Sequence, residues 1–330
     1  MKDLFVTDLA RMEEGHFFDA YFLVLVKQQR NTKSGKPYLS LVLGDKSGQI
    51  EARIWDVNNP NVERGFEAGS VVKVRAAANR FDDKLQLKVE HLRISLLTDP
   101  VEKADLLPST KRDPNEMWQE LTGFIASFKN AHLQALLQLL LDDSAIGAAF
   151  REAPAAKQLH HAWLGGLLEH VVSLLNLAER VAAHYPMLDR DLLMTGVILH
   201  DIGKTRELSW EMGFEYTIAG SLLGHIQMGV EMTERAIDRI EGFPPRLKTL
   251  VLHLILSHHG KLEYGSPKLP MIPEALALSF VDDFDAKMMS IESEFAKCAA
   301  EGRKADELTG KVWSLDQRQL LNTRAWLENQ

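Results

Sequence analysis

The chain has 330 residues, 45% of them hydrophobic and 25% charged, with a formal net charge of −8 and a single cysteine. That length and apolar content predict a soluble protein of two or more domains, each with its own core. The lone thiol, Cys298, excludes intramolecular disulfides, fits a reducing compartment and reads as a small buried apolar side chain. Acids interrupt every apolar run of the N-terminal MKDLFVTDLARMEEG, and no later run reaches membrane-spanning length. No signal, transit or membrane segment is expected, and the predicted location is the cytoplasm.

The acidity is uneven along the chain. Residues 1–100 carry 15 Lys+Arg against 14 Asp+Glu, whereas residues 101–330 carry 23 against 32. Between Asp19 and Asp45 stand Lys27, Arg30, Lys33 and Lys36 with no acid among them. A local basic loop can follow a phosphate backbone whatever the total charge. Taken alone, four charges fit a solvated hairpin tip better. Around this stretch the sequence alternates as β-structure does: Ala20 to Val26, Tyr38 to Leu43, Ile50 to Trp55, Val71 to Ala77 and Leu85 to Ile94. Turn signals at Ser34-Gly35-Lys36-Pro37, Asp45-Lys46-Ser47-Gly48, Ala68-Gly69 and Asp82-Asp83 separate the runs. Five strands so spaced predict a small closed barrel over residues 1–100, whose order of loops resembles an OB-fold nucleic-acid module. In such barrels the second and third strands, with the first and fourth loops, form the binding face. Lys33, Lys36, Tyr38, Arg53 and Trp55 would then stand beside a bound strand. Tyr38 and Trp55 fit core or barrel-end positions equally well.

Pro100, Pro108 and Pro114 mark a change of pattern, read as a helical linker over residues 101–155. Beyond it nothing reads as a strand. Apolar residues recur at three and four spacing in Ala131–Leu141, Gly165–His184, Leu192–His200, Leu222–Ile240, Leu247–His259 and Ala275–Ala300. Proline starts and glycine stops bound these runs well: Pro186 and Gly203, Pro244-Pro245 and Gly260, Pro273. The expected architecture is a multidomain α+β chain: a five-stranded barrel, the linker, an all-α domain over 156–303, and a tail over 304–330 that packs on that domain or on a neighbour. Met288, Met289, Trp313 and Trp326 read as packing residues.

The chemistry concentrates in the helical part. In chain order come His170, His200-Asp201, His225, His258-His259 and Asp282, a mixture of imidazoles and carboxylates that suits first-row metals such as manganese, iron and zinc. His200-Asp201 and His258-His259 each fall at a helix C-terminus, where free carbonyls and the helix dipole favour a cation. Asp282 follows the apolar run Leu276 to Val281, which predicts a carboxylate facing the core and needing a partner or a metal. Asp283 and Asp285 compete for that role.

The spacing of His170, His200-Asp201 and Asp282 resembles the HD-domain phosphohydrolase superfamily, and the additional His225 and His258-His259 are similar to its subset that holds two metals. More closely, the run from His160 to His170, Leu223-Gly224-His225-Ile226 and the run from His258 to Lys268 resemble the YhaM-type 3′-to-5′ exoribonucleases, which also place an OB-fold before the HD domain. The resemblance implies that His170, His200, Asp201 and Asp282 hold one divalent ion and Asp201, His225, His258 and His259 the other. It implies manganese first, with iron, cobalt or magnesium served by the same donors. The implied reaction is attack by a metal-activated hydroxide on the 3′-terminal phosphodiester of single-stranded RNA, and of DNA where the 2′-hydroxyl is not read, releasing nucleoside 5′-monophosphates. Lys204 would contact a non-bridging phosphate oxygen or cap its helix. His161 would contact the leaving group or the scissile phosphate, and Tyr216 and Thr217 would line the entrance. Two other readings stand beside this one: an HD phosphohydrolase for small nucleotides or cyclic dinucleotides, and a non-catalytic RNA-binding regulator. Apolar residues of the tail allow a homo-oligomer.

Overall fold

The computed structural model describes residues 2–32, 34–81, 84–96, 98–157, 163–211, 213–300 and 302–328. Lys33 and His161 lie outside the described residues. The chain divides into two compact units, Met1–Ser109 with Ser209–Glu215, and Thr110–Leu208 with Tyr216–Gln330.

The first unit begins with a single helical turn, α1 (Val6–Leu9), and continues with strands β1 (Phe17–Asn31), β2 (Pro37–Asp45), β3 (Gly48–Ile54), β4 (Val71–Phe81) and β5 (Lys84–Ile94). They close into a barrel in the order β1-β2-β3-β5-β4. Pairing is antiparallel throughout except between β3 and β5, and β4 returns to β1 in a register from Phe17 opposite Ala77 to Leu23 opposite Val71. The period of two decides what faces inward: on β3, Ile50, Ala52 and Ile54 are buried while Glu51 is exposed. With Phe22, Leu41, Leu43, Phe66, Val74 and Leu87 these side chains fill the barrel, each of those larger than alanine contributing roughly 1.5–3 kcal/mol by leaving water. The N-terminal segment is tied to the barrel by the buried ion pair of Lys2 and Asp45, whose carboxylate also accepts the backbone N–H groups of Val6 and Ser47. A short turn, α2 (Lys103–Leu106), ends this unit's main segment.

β1 is longer than the alternation predicted. It carries Lys27 and Arg30 on the strand rather than in the loop, and the Lys27 ammonium donates to the Phe66 carbonyl and to Glu67. That lysine therefore serves the barrel itself.

The second unit is built on α3 (Pro114–Ala126), α4 (Ala131–Leu141), α5 (Ser144–Glu152), α6 (Gly166–His184), α7 (Arg190–Leu199), the turn α8 (Lys204–Glu207), α9 (Ile218–Ile237), α10 (Pro245–Ser257), α11 (Pro273–Ala300) and α12 (Thr323–Glu328). A hairpin of two-residue strands, β6 (Leu208–Ser209) and β7 (Glu215–Tyr216), lies between α8 and α9, too short for any period to reveal. Residues 101–155, read as a helical linker, contain α3, α4 and α5: α3 buries Met117, Leu121 and Ile125 and packs on α6, and α4 packs on α7 and α9. Asp113, Asn130 and Asp143 cap these three helices by accepting backbone N–H groups of the first turn. Helix α7 is buried from Asp191 to Leu199, with Asp191 accepting the Lys129 and Asn130 N–H groups, and forms the centre of the unit. Among the described residues no single helix is long and apolar enough to cross a membrane. Against expectation, Met288, Trp313 and Trp326 are exposed rather than packed.

Candidate metal centre

Helices α7 and α10 end in the same local device. At each C-terminus the backbone carbonyls lose their intrahelical partners, and a histidine just past the end takes one of them. His200 Nδ1 lies 2.8 Å from the Val197 carbonyl and His258 Nδ1 lies 2.8 Å from the Ile255 carbonyl. An oxygen acceptor at Nδ1 fixes the proton there and leaves Nε2 as a bare lone pair aimed inward. His259 repeats the arrangement against the Tyr264 carbonyl at 2.8 Å.

The other two histidines are oriented by carboxylates. His170, buried on α6, sets Nδ1 at 3.1 Å from Asp285 and Nε2 at 3.1 Å from Asp282, both on α11. Ser173 donates to the second oxygen of Asp285 at 2.6 Å. His225 follows Gly224, whose left-handed φ of 74° breaks α9 and turns the chain inward. Its backbone N–H and its Nδ1 both reach Glu207 Oε1, at 2.9 and 3.1 Å. The approach requires Gly203, since a Cβ there would meet the His225 carbonyl oxygen at 1.9 Å.

These devices converge on Asp201. Its Oδ2 is 3.3 Å from His200 Nε2, and its Oδ1 is 3.4 Å from His225 Nε2 and 3.8 Å from His258 Nε2. Two groups of donors result, His170 with His200 and Asp201, and His225 with His258 and His259; within each, the donor atoms lie within 4.8 Å of one another. Among the described residues, the buried side-chain atoms without a hydrogen-bond partner are His200 Nε2, Asp201 Oδ1, His225 Nε2, His258 Nε2 and Thr233 Oγ1. Unpaired buried polar atoms are costly and rare. Four of these five point into one space, and three of the four are imidazole lone pairs. That set fits a divalent cation.

The charges agree with this fit. Burial pushes His258 and His259 below the usual imidazole range and keeps them neutral, as ligands must be. Asp201 is held well below the carboxylate range: burial opposes ionisation, but the Lys204 ammonium, 2.6 Å away, and His200 outweigh it. Lys204 is raised by the same contact despite its burial. It points into the site and does not cap a helix. Asp282 is likewise lowered, with His170 and His200 overcoming burial.

The structure thus brings together His170, His200, Asp201, His225, His258, His259, Asp282 and Lys204. Of the three competing carboxylates on α11, Asp282 faces the site, Asp285 orients His170, and Asp283 is exposed and pairs with Lys287. Glu207 gave no sign in the sequence, because its link to His225 spans 18 positions and follows no helical or strand period. Beside the centre a cavity of about 530 Å³ is lined by Lys157, Lys204, Glu207, Tyr216 and His225 among others. Tyr216 lines this cavity, whereas Thr217 is a helix cap, accepting from Gly220 N–H and donating to the Arg206 carbonyl.

On the barrel, Tyr38 and Trp55 lie with ring centroids 5.2 Å apart, and the Arg53 guanidinium stands 5.9 and 5.6 Å from the two rings. Trp55 is 48% exposed and so is not a core residue, and Tyr38 beside it is half-buried. Lys36 is exposed in the preceding loop.

Comparison with known proteins agrees with both units. Residues 24–95 match the family described as OB-fold nucleic acid binding domain, and residues 167–287 match the HD domain. The chain is 40% identical to a 3′-5′ exoribonuclease YhaM of Bacillus velezensis, over 93% of this chain and 95% of the relative. It is 37% identical to a protein of the same name from Geobacillus sp., over 94% and 93%, and 39% identical to that of Bacillus subtilis, over 93% and 95%. Fold and site define an HD-domain, divalent-metal-binding protein joined to an OB-fold module for nucleic acid. Within that class, the chain belongs to the YhaM family of 3′-5′ exoribonucleases.

The protonation pattern has a measurable consequence. Burial disfavours the charged imidazole of His170, but Asp282 and Asp285 outweigh it and raise the group to about 9. At pH 7 the metal-free chain therefore carries a proton on His170 that an ion bound through Nε2 would displace. Manganese loading is expected to release about one proton, with affinity rising by up to about tenfold per pH unit between 7 and 9. Calorimetric titration in buffers of different ionisation enthalpy measures this, and a heat independent of buffer contradicts it.

Proposed function

We propose that this chain is a metal-dependent 3′-to-5′ exoribonuclease that shortens single-stranded RNA and releases nucleoside 5′-monophosphates. The observation that carries the reading is the convergence of three imidazole nitrogens and an Asp201 oxygen, all buried and unpartnered, in a chain with this family's two domains. We assign His170, His200, Asp201 and Asp282 to one ion and Asp201, His225, His258 and His259 to a second, with manganese as the first choice. Such ions, when bound, would supply positive charge to the scissile phosphate and acidify the attacking water.

The chain's own groups prepare the site. The carbonyls of Val197 and Ile255 and the carboxylates of Glu207 and Asp285 keep the imidazoles in the ligating tautomer. Asp201 faces both donor groups, and Lys204 keeps it ionised when burial would favour the acid. The Lys204 ammonium is then placed for a non-bridging phosphate oxygen. In the reaction the water oxygen bonds to phosphorus and the P–O3′ bond breaks. The O3′ leaving group takes up a proton, so that water's elements are divided between a new 3′-hydroxyl on the shortened strand and the 5′-phosphate of the released nucleotide. No side-chain nucleophile is needed.

On the barrel, Tyr38 and Trp55 offer faces for upstream bases, with Arg53 and Lys36, and by the same reading Lys33, for the phosphates. Each stacked base contributes about 1–3 kcal/mol, so Trp55→Ala is expected to weaken binding of a single-stranded oligonucleotide about tenfold to a hundredfold, leaving turnover of bound RNA unchanged. Fluorescence anisotropy checks the affinity; binding equal to wild type would remove the rings from the interface. The reaction itself is tested with 5′-labelled RNA and manganese. The proposal predicts a ladder shortening in single-nucleotide steps with 5′-monophosphates as product. Intact RNA alongside hydrolysis of cyclic dinucleotides or free nucleotides would place the chain with small-molecule phosphohydrolases.

A further inference from the structure

The outer side of α11 carries Leu276, Phe280, Phe284 and Met288, four residues apart and therefore in one stripe along the helix. All four are exposed, Phe280 at 66% and Phe284 at 54%. Met187 and Met271, the latter 79% exposed, stand across a groove of about 960 Å³ that runs between this stripe and α6. Six large apolar side chains so exposed present on the order of 700 Å² of apolar surface, more than the largest patch usual on a monomer and close to one side of a standard protein interface.

We infer that this face is the contact between two copies of the chain, related by a twofold axis. Charge narrows the occupant. The charged groups lining the groove are Asp283 and Lys287, one turn apart and paired at 2.5 Å. RNA requires a surplus of cations, and this face has none. An isologous contact places the same patch on both partners. With two α11 helices antiparallel, the stripes interdigitate and Asp283 of each copy comes opposite Lys287 of the other, so the ion pair is exchanged without loss of charge balance. A face of Phe, Leu and Met with one balanced pair has the composition of a permanent contact, and a second copy is the partner present whenever the chain is. The inner side of the same helix carries Asp282 and Asp285. Pairing on the outer side therefore braces the helix that faces the metal centre.

The test is the solution mass of the full chain by sedimentation velocity at micromolar concentration, beside Phe280→Glu with Phe284→Glu. Both side chains are more than half exposed, so the helical circular dichroism should match wild type. The expected result is an even multiple of the chain mass for wild type and half that value or less for the double variant. Asp283→Lys should weaken association at least tenfold, and adding Lys287→Asp should restore it. A monomeric wild type, a double variant of unchanged mass, or a charge swap that restores nothing overturns the contact. So does a variant that keeps its mass and loses RNA affinity, which would make the face a nucleic-acid surface.

Discussion

Replacement of Asp201 by alanine is expected to reduce RNA hydrolysis by at least about three orders of magnitude, equivalent to roughly 4 kcal/mol of transition-state stabilisation, while RNA binding by the barrel persists. Among the described residues, Asp201 is the one carboxylate seen within 4 Å of histidines from both donor groups, His200 on one side and His225 and His258 on the other. Its loss removes a ligand from each proposed ion and leaves the buried Lys204 ammonium without its 2.6 Å partner. Asp201→Asn is the sharper variant. It keeps the shape and one oxygen acceptor but loses the charge, and it should be nearly as inactive. Single-turnover cleavage of labelled RNA, with anisotropy for binding, separates the two effects. Cleavage within tenfold of wild type in either variant would move the chemistry away from this centre.

The second large effect is predicted at Glu207, which is not itself a proposed ligand but holds one, His225. One carboxylate oxygen accepts both the backbone N–H and the Nδ1 of His225, which sets that ring's tautomer and direction at the point where Gly224 breaks the helix. Burial alone would favour the neutral acid, but the hydrogen bonds from His225 hold Glu207 below the usual carboxylate range. Glu207→Ala frees the ring and leaves two donors unsatisfied. Outer partners of ligating histidines contribute about tenfold to a hundredfold in metal affinity or activity, and a loss of that size is expected here. Glu207→Gln keeps a carbonyl acceptor, so it should retain more. Manganese titration of the two variants ranks them; equal affinities for Ala, Gln and wild type would mean that His225 needs no such hold.

Much of the architecture could be read from residue order because it rests on local periodicity. Alternation through Ile50 to Trp55 and the turn at Ser47-Gly48 give a strand and a hairpin directly, and β3 is found there. The histidines were legible for a related reason. His200-Asp201 and His258-His259 close apolar helices, where a ligand's position follows from its helix end. Contacts that cross between elements left no such trace. Glu207 and His225 meet because α8 lies against α9 at Gly203 and Gly220. Prolines mark the start of the segment read as a helical linker, and Pro114 is the first residue of α3, a position where proline costs a helix nothing. Lys27 was counted toward a basic loop and is held by Phe66 and Glu67. Met288 and Trp313 were assigned to packing on residue type, and periodicity states which residues share a face without stating what covers it. The exposed stripe on α11 has that origin.

The most direct test of the account is the metal content of the purified chain after chelation and reloading with manganese, measured together with RNA hydrolysis. Two ions per chain are predicted for wild type and at most one for His258→Ala, with hydrolysis absent in the metal-free protein and regained in proportion to reloading. One ion in a fully active wild-type chain, or exonuclease activity that survives complete chelation, would contradict the account.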